Sequence, residues 1–77
     1  MKSKIDLYVI SKVREKRLEK GISQVDLANE LDVSVGFIGK IESPNYSTHY
    51  NIRHLNLLAL ILECSPKDFF PDKPIKR

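Results

Sequence analysis

The stretch from Gln24 to Glu42 is the tightest limit on what this chain can fold into. Two helical patterns lie there almost end to end, separated only by Asp32, Val33 and Ser34. So short a connection leaves no room for a loop, and it forces the two helices to cross closely. The residue types suit that crossing. Ala28 is small where the helices meet, while Val33, Ile38 and Ile41 can anchor the second helix on a body. Ser23 and Ser34 stand where each helix would start and are good N-caps. Asp26, three residues after Ser23, is a weaker acidic stand-in for the Glu of a capping box, and Ile22 with Leu27 has the spacing of a hydrophobic staple.

The flanking segments are also helical. Leu7, Ile10, Val13, Arg14, Arg17 and Leu18 recur at helical spacing, which predicts a first helix from about Leu7 to Lys20, closed by Gly21 as a left-handed cap. A fourth helix is predicted from Ile52 to Leu62 with Asn51 as its N-cap. Ile52, Leu55, Leu58, Ala59 and Leu62 form its main stripe, and Leu57, Leu60 and Ile61 widen it into an arc with two apolar sides. Ser65-Pro66 opens a fifth, short turn of helix that brings Phe69 and Phe70 back onto the domain. Residues 43–50 are a polar loop whose tyrosines are expected to pack it down. No strand pattern, internal repeat or low-complexity tract is present. The fold class is therefore all-α, a compact five-helix domain over residues 7–71, with a flexible N-terminus at 1–6 and a flexible basic tail at 72–77.

Size and composition exclude several classes. In 77 residues there is room for one modest core. One cysteine, Cys64, permits no intrachain disulfide and suits a reducing compartment. The longest apolar run, Leu57–Leu62, is far short of the ~20 residues of a membrane span. Met1-Lys2-Ser3-Lys4 has no apolar core behind it and does not read as a secretory leader. The expected address is the cytoplasm, at the nucleoid. The net charge of +3 is unevenly laid out: residues 1–20 carry +4, residues 21–70 carry −3 and residues 71–77 carry +2. Such a surplus at both ends is compatible with nucleic acid, and equally with ordinary solubility. His49 and His54 stand five apart without an acidic residue between them and do not form a metal site. There is no phosphate-binding glycine loop and no nucleophile with a placed base, so no enzyme, metal or cofactor is expected.

One feature of the central pair conflicts with helix propensity. The second helix carries Gly36 and Gly39, each costing a helix interior about 1 kcal/mol relative to Ala. Conflicts of this kind are expected where something must come close to the backbone.

Gly21-Ile22-Ser23-Gln24-Val25-Asp26-Leu27-Ala28 through Ser34, followed by Phe37-Ile38-Gly39-Lys40-Ile41-Glu42, resembles the phage repressor-type helix-turn-helix family, the lambda repressor/Cro-like or XRE class. The likeness runs from about residue 8 to residue 71. It implies a lambda-repressor-like domain that binds double-stranded DNA in the major groove, sequence-specifically, as a transcriptional regulator. Gln24 would touch a phosphate and brace the recognition helix. Ser34, Val35, Gly36, Gly39 and Lys40 would lie along the groove, with Phe37 toward the loop side, and Asn45 and Tyr46 would add phosphate or sugar contacts. Arg17 and Glu42 would form the family's internal ion pair. The likeness also implies a homodimer on a palindromic site, for which the surplus apolar surface of the fourth helix, with Phe69, Phe70 and the tail, is the candidate patch. Three departures stand out: the recognition helix is unusually apolar, the loop after Glu42 is longer and lacks an Asn-Gly turn, and Lys16 occupies a position often apolar in relatives. Base readout would then rest on Lys40, on Val35 against thymine methyls and on close approach at the glycines. The weak polarity of that helix and the acidic middle of the chain favour an alternative: a protein-interaction module of the same fold, antitoxin-like or phage-derived, with weak or non-specific DNA binding.

Overall fold

A computed structural model describes residues 1–77. Four α-helices follow one another, α1 Lys4–Glu19, α2 Gln24–Leu31, α3 Val35–Glu42 and α4 Ile52–Ile61. A 3-10 turn, Pro66–Phe69, stands where a fifth helix was expected. Ser65 caps this turn, with Pro66 at its first position.

The N-terminal boundary differs from the expectation. The first helix begins at Lys4, so the segment assigned to a flexible N-terminus already holds its first turn. Ser3 Oγ accepts from the Asp6 N–H at 3.2 Å, and Asp6 Oδ2 accepts in return from the Ser3 N–H at 3.4 Å. This capping box starts the helix even though Ile5, the one apolar residue of Lys4–Asp6, stays exposed. The buried face of α1 is also rotated from the expected stripe: Val9, Ile10, Val13 and Arg17 are buried, whereas Leu7 and Leu18 are exposed.

Three of the four helices end in the same way. Gly21, Asp32 and Glu63 have φ of 68°, 59° and 55°, the left-handed region. The next N–H then reaches back five residues: Ile22 to the Arg17 carbonyl (3.0 Å), Val33 to Ala28 (3.0 Å) and Cys64 to Ala59 (2.9 Å). These are Schellman closures, which commonly turn the following apolar residue inward. Ile22, Val33 and Cys64 all pack against the core. Only the first cap is glycine; the connection between α2 and α3 is closed by Asp32, a residue type that tolerates this conformation.

The core draws on every element. Val13, Leu27, Ile38, Ile41, Leu58 and Phe69 are fully buried. Two expectations for the C-terminal part need correction. Ile52, placed in the main stripe of α4, is 87% exposed, and Phe69 is wholly buried and so unavailable to a partner, leaving Phe70 at the surface. The N-cap of α4 is as expected: Asn51 Oδ1 accepts from the His54 N–H at 2.7 Å, and His54 Nδ1 accepts from the Asn51 N–H at 3.2 Å. No helix is long and apolar enough to cross a membrane.

Candidate nucleic-acid interface

The residues that seat α3 converge on one buried carboxylate. Glu42, the last residue of α3, accepts two hydrogen bonds from the Arg17 guanidinium, Nε to Oε2 at 3.1 Å and Nη2 to Oε1 at 2.9 Å. The Gln24 side-chain amide donates to the same Oε1 at 3.0 Å. Arg17 spends a further N–H on the Ile22 carbonyl in the α1–α2 turn, at 2.8 Å. The side chains of Arg17 and Glu42 are only 7% and 5% exposed. A charge so deeply placed is tolerable only when paired and saturated with hydrogen bonds, and this pair is both. One carboxylate thereby joins α1, α2 and α3. Arg14, on the solvent side of α1, adds a looser approach at 3.7 Å. Burial beside Glu42 pushes the Tyr50 hydroxyl well above the ordinary tyrosine range, and that hydroxyl has no hydrogen-bond partner.

The opposite side of α3 is unused by the fold. Ser34 caps the helix, its Oγ accepting from the Phe37 N–H at 3.1 Å. Val35, Gly36 and Lys40 are exposed and Gly39 is half-buried. A Cβ added at Gly36 would meet nothing nearer than Ser34 Oγ at 4.0 Å, and one at Gly39 nothing nearer than Gln24 Oε1 at 3.9 Å. Neither glycine has a positive φ. The domain itself therefore gives no reason for glycine at either place.

Phe37 points elsewhere. It is half-buried, with its ring edge-on to His54 of α4 at 5.5 Å, so it fastens α3 rather than lining the exposed face. In the following loop Tyr46 is exposed and its ring lies 5.6 Å from Lys40 Nζ, a cation–π distance. Asn45 is exposed, and its backbone N–H reaches Ser43 Oγ at 3.3 Å. The structure thus brings Gln24, Val35, Gly36, Gly39, Lys40 and Tyr46 to one side of the molecule.

The helix-turn-helix family profile matches residues 13–69. The chain belongs to the helix-turn-helix family. Solved structures agree on the fold. A point mutant of the restriction-modification controller protein C.Esp1396I is 35% identical, with a TM-score of 0.74, over 90% of this chain and 85% of that one. C.Esp1396I bound to a 19 base pair DNA duplex is 33% identical, with a TM-score of 0.73, over 87% of each chain. SinR, described as the master regulator for biofilm formation and solved in complex with DNA, is 26% identical, with a TM-score of 0.68, over 79% of this chain and 95% of that one. Among curated proteins no relative matches. The helix-turn-helix family is one of DNA-binding regulators and not of enzymes. Within this helix-turn-helix unit α2 and α3 are the two helices and α3 is the second.

One residue near this surface escaped the sequence reading altogether. Lys2 Nζ donates to the Lys40 carbonyl at 3.2 Å and to the carbonyls of Ser43 and Tyr46. These contacts span 38 to 44 residues of sequence. No local pattern could have revealed them, because a lysine before a capping box carries no sign of a distant helix end.

Proposed function

We propose that this chain is a sequence-specific transcriptional regulator that lays α3 in the major groove of double-stranded DNA. The observation that carries the reading is the pair of glycines on α3. They cost helix stability, no contact inside the domain needs them, and they lie on the face turned away from the core. A surface that must let another molecule reach the backbone accounts for both. Lys40 supplies the positive charge beside them, Val35 an apolar surface for thymine methyls, and Ser34 an exposed helix start with free N–H groups. Gln24, braced on Glu42, and the loop residues Asn45 and Tyr46 flank the groove and address the phosphate backbone. That C.Esp1396I and SinR were both solved with DNA supports a DNA-binding role. The cellular address that fits this role is the cytoplasm, at the nucleoid.

The chain acts as a homodimer on a palindromic site. Ile52 and Leu60, two turns apart on α4, are 87% and 70% exposed, and Phe70 and Ile5 are exposed as well. An open cleft of about 590 Å³ with Ile5, Val9, Tyr50, Ile52 and Phe70 in its walls adjoins them. Two copies joined there double the readout of a weakly polar recognition helix.

Selection of bound fragments from randomised double-stranded DNA, then fluorescence anisotropy at two salt concentrations, tests the function. A two-fold symmetric site preferred about a thousandfold over scrambled DNA is the expected result. Sequence-blind binding that disappears as salt rises would refute it and turn attention to the protein-interaction reading, which the exposed Val35 favours. Lys40→Ala should weaken the selected site by about tenfold or more while shifting stability by less than about 0.5 kcal/mol. A melting loss matching the binding loss would remove Lys40 from the interface.

A further inference from the structure

We infer that Lys2 is a positioning residue for DNA recognition. It fixes the end of α3 and the loop behind it, so that Lys40 and Tyr46 meet the duplex already in place. This rests on the DNA-binding reading of α3.

The chemistry of the ammonium group makes the case. A lysine has three N–H donors and no acceptor. Here three carbonyls receive Lys2 Nζ, those of Lys40, Ser43 and Tyr46. No donor is left for a phosphate. The group that the N-terminal basic surplus would offer to DNA is turned inward instead.

The three acceptors are also the right ones. The last carbonyls of a helix have no partner within it. In α3 the Gly39 carbonyl is taken by the Ser43 N–H at 3.0 Å. Lys2 takes the Lys40 carbonyl, one residue on, and that of Ser43, the C-cap. Its charge sits at the negative end of the α3 dipole, where a cation is favoured. The third acceptor, Tyr46, lies in the loop, and its ring lies beside Lys40 Nζ at 5.6 Å. Lys2 therefore closes a ring of interactions: from Lys2 to the Tyr46 backbone, from the Tyr46 ring to the Lys40 ammonium, and from the Lys40 backbone back to Lys2. Loops lose conformational freedom when they bind, and a loop held in advance loses less. The capping box at Ser3 and Asp6 starts α1 directly after Lys2 and so fixes where the lysine emerges.

The test is a mutant cycle on DNA affinity, read by anisotropy with a labelled duplex recovered by selection from the randomised library. Lys2→Met should weaken binding about tenfold, the size of one charge-assisted hydrogen bond. Introduced into a Lys40→Ala/Tyr46→Ala background, the same change should alter the affinity less than about twofold, because what it positions is gone. Lys2→Arg, which keeps a charged multiple donor, should restore most of the loss. Amide relaxation by NMR without DNA gives an independent readout: Lys2→Met should raise the mobility of residues 43–47 and leave α2 unchanged. An equal loss in both backgrounds would mean that Lys2 contacts DNA itself, and no loss in the wild-type background would mean that it is dispensable; either result overturns the inference. If Lys40→Ala alone leaves affinity unchanged, the reading of α3 fails instead, and the relaxation data still decide whether Lys2 holds the loop.

Discussion

Arg17 and Glu42 lie 25 residues apart in the chain and meet through two hydrogen bonds in the interior. Removing Arg17 leaves Glu42 charged and buried with only the Gln24 amide and the looser Arg14 approach, which costs more than an exposed ion pair is worth. Arg17→Ala should therefore lower unfolding stability by about 3 kcal/mol, measured as a shift of the urea midpoint, with DNA affinity falling as a consequence. A loss below about 1 kcal/mol would show that solvent reaches the pair. At this scale the sequence was legible wherever a motif assigned a partner, as for Arg17 with Glu42. It was mute where the partner is a backbone carbonyl far away, as for Lys2. Phe37 shows another limit. Its spacing on α3 is compatible with the exposed face, and only the position of His54 on a separate helix draws it inward.

Helix ends were easier to read than helix faces. Ser23, Ser34, Asn51 and Ser65 all accept a backbone N–H, as their residue types suggest. The reciprocal acid is formed at Ser65 but not at Ser23, where only the serine half of the box is present. The faces of α1 and α4 were misjudged at Leu7, Leu18 and Ile52, because a broad apolar arc does not say which part of it the neighbours cover. Two predictions belong to single elements. Gly36→Ala should stabilise the domain by about 0.5–1 kcal/mol, since the new methyl meets open space and the helix gains propensity. The same methyl stands on the groove face and should weaken DNA binding; stabilisation in a urea titration with unchanged affinity would mean that nothing approaches α3 at that point. His54 supplies the second. Burial, with Arg53 close by, holds its pKa below the ordinary 6.5. As an acceptor at the start of α4 it must be neutral. Its contribution to stability is complete above the unfolded value of about 6.5 and is lost as pH falls through the lower folded value. The urea midpoint should drop as pH falls below about 6.5, and the drop should shrink in His54→Gln, which keeps an acceptor but does not titrate. Equal slopes in the two proteins would count against this role.

The apolar patch proposed for assembly is visible in the sequence only in outline. The excess of apolar residues on α4 was visible, but the patch is assembled from separate segments. Phe69 leaves it for the core, while Ile5, from a stretch assigned to a loose N-terminus, joins it. Leu60 is 70% exposed, so Leu60→Glu should fold as well as the parent. It should shift the sedimentation profile from dimer to monomer and weaken binding to a palindromic site on the order of a hundredfold, the loss expected when two linked half-sites become independent. A parent that sediments as a monomer at high concentration, with and without DNA, would exclude the dimer.

On the proposed DNA-binding reading, the two sides of α3 have unrelated duties. Ile38, Ile41 and Glu42 hold the helix to the body, whereas Val35, Gly36 and Lys40 make hardly any contact that folding depends on. Natural selection can act on the outer set while the inner set stays fixed. A descendant of this domain could acquire a new operator through a few substitutions without first crossing a valley of misfolded intermediates. Its recognition vocabulary is free to drift because its fastening is not.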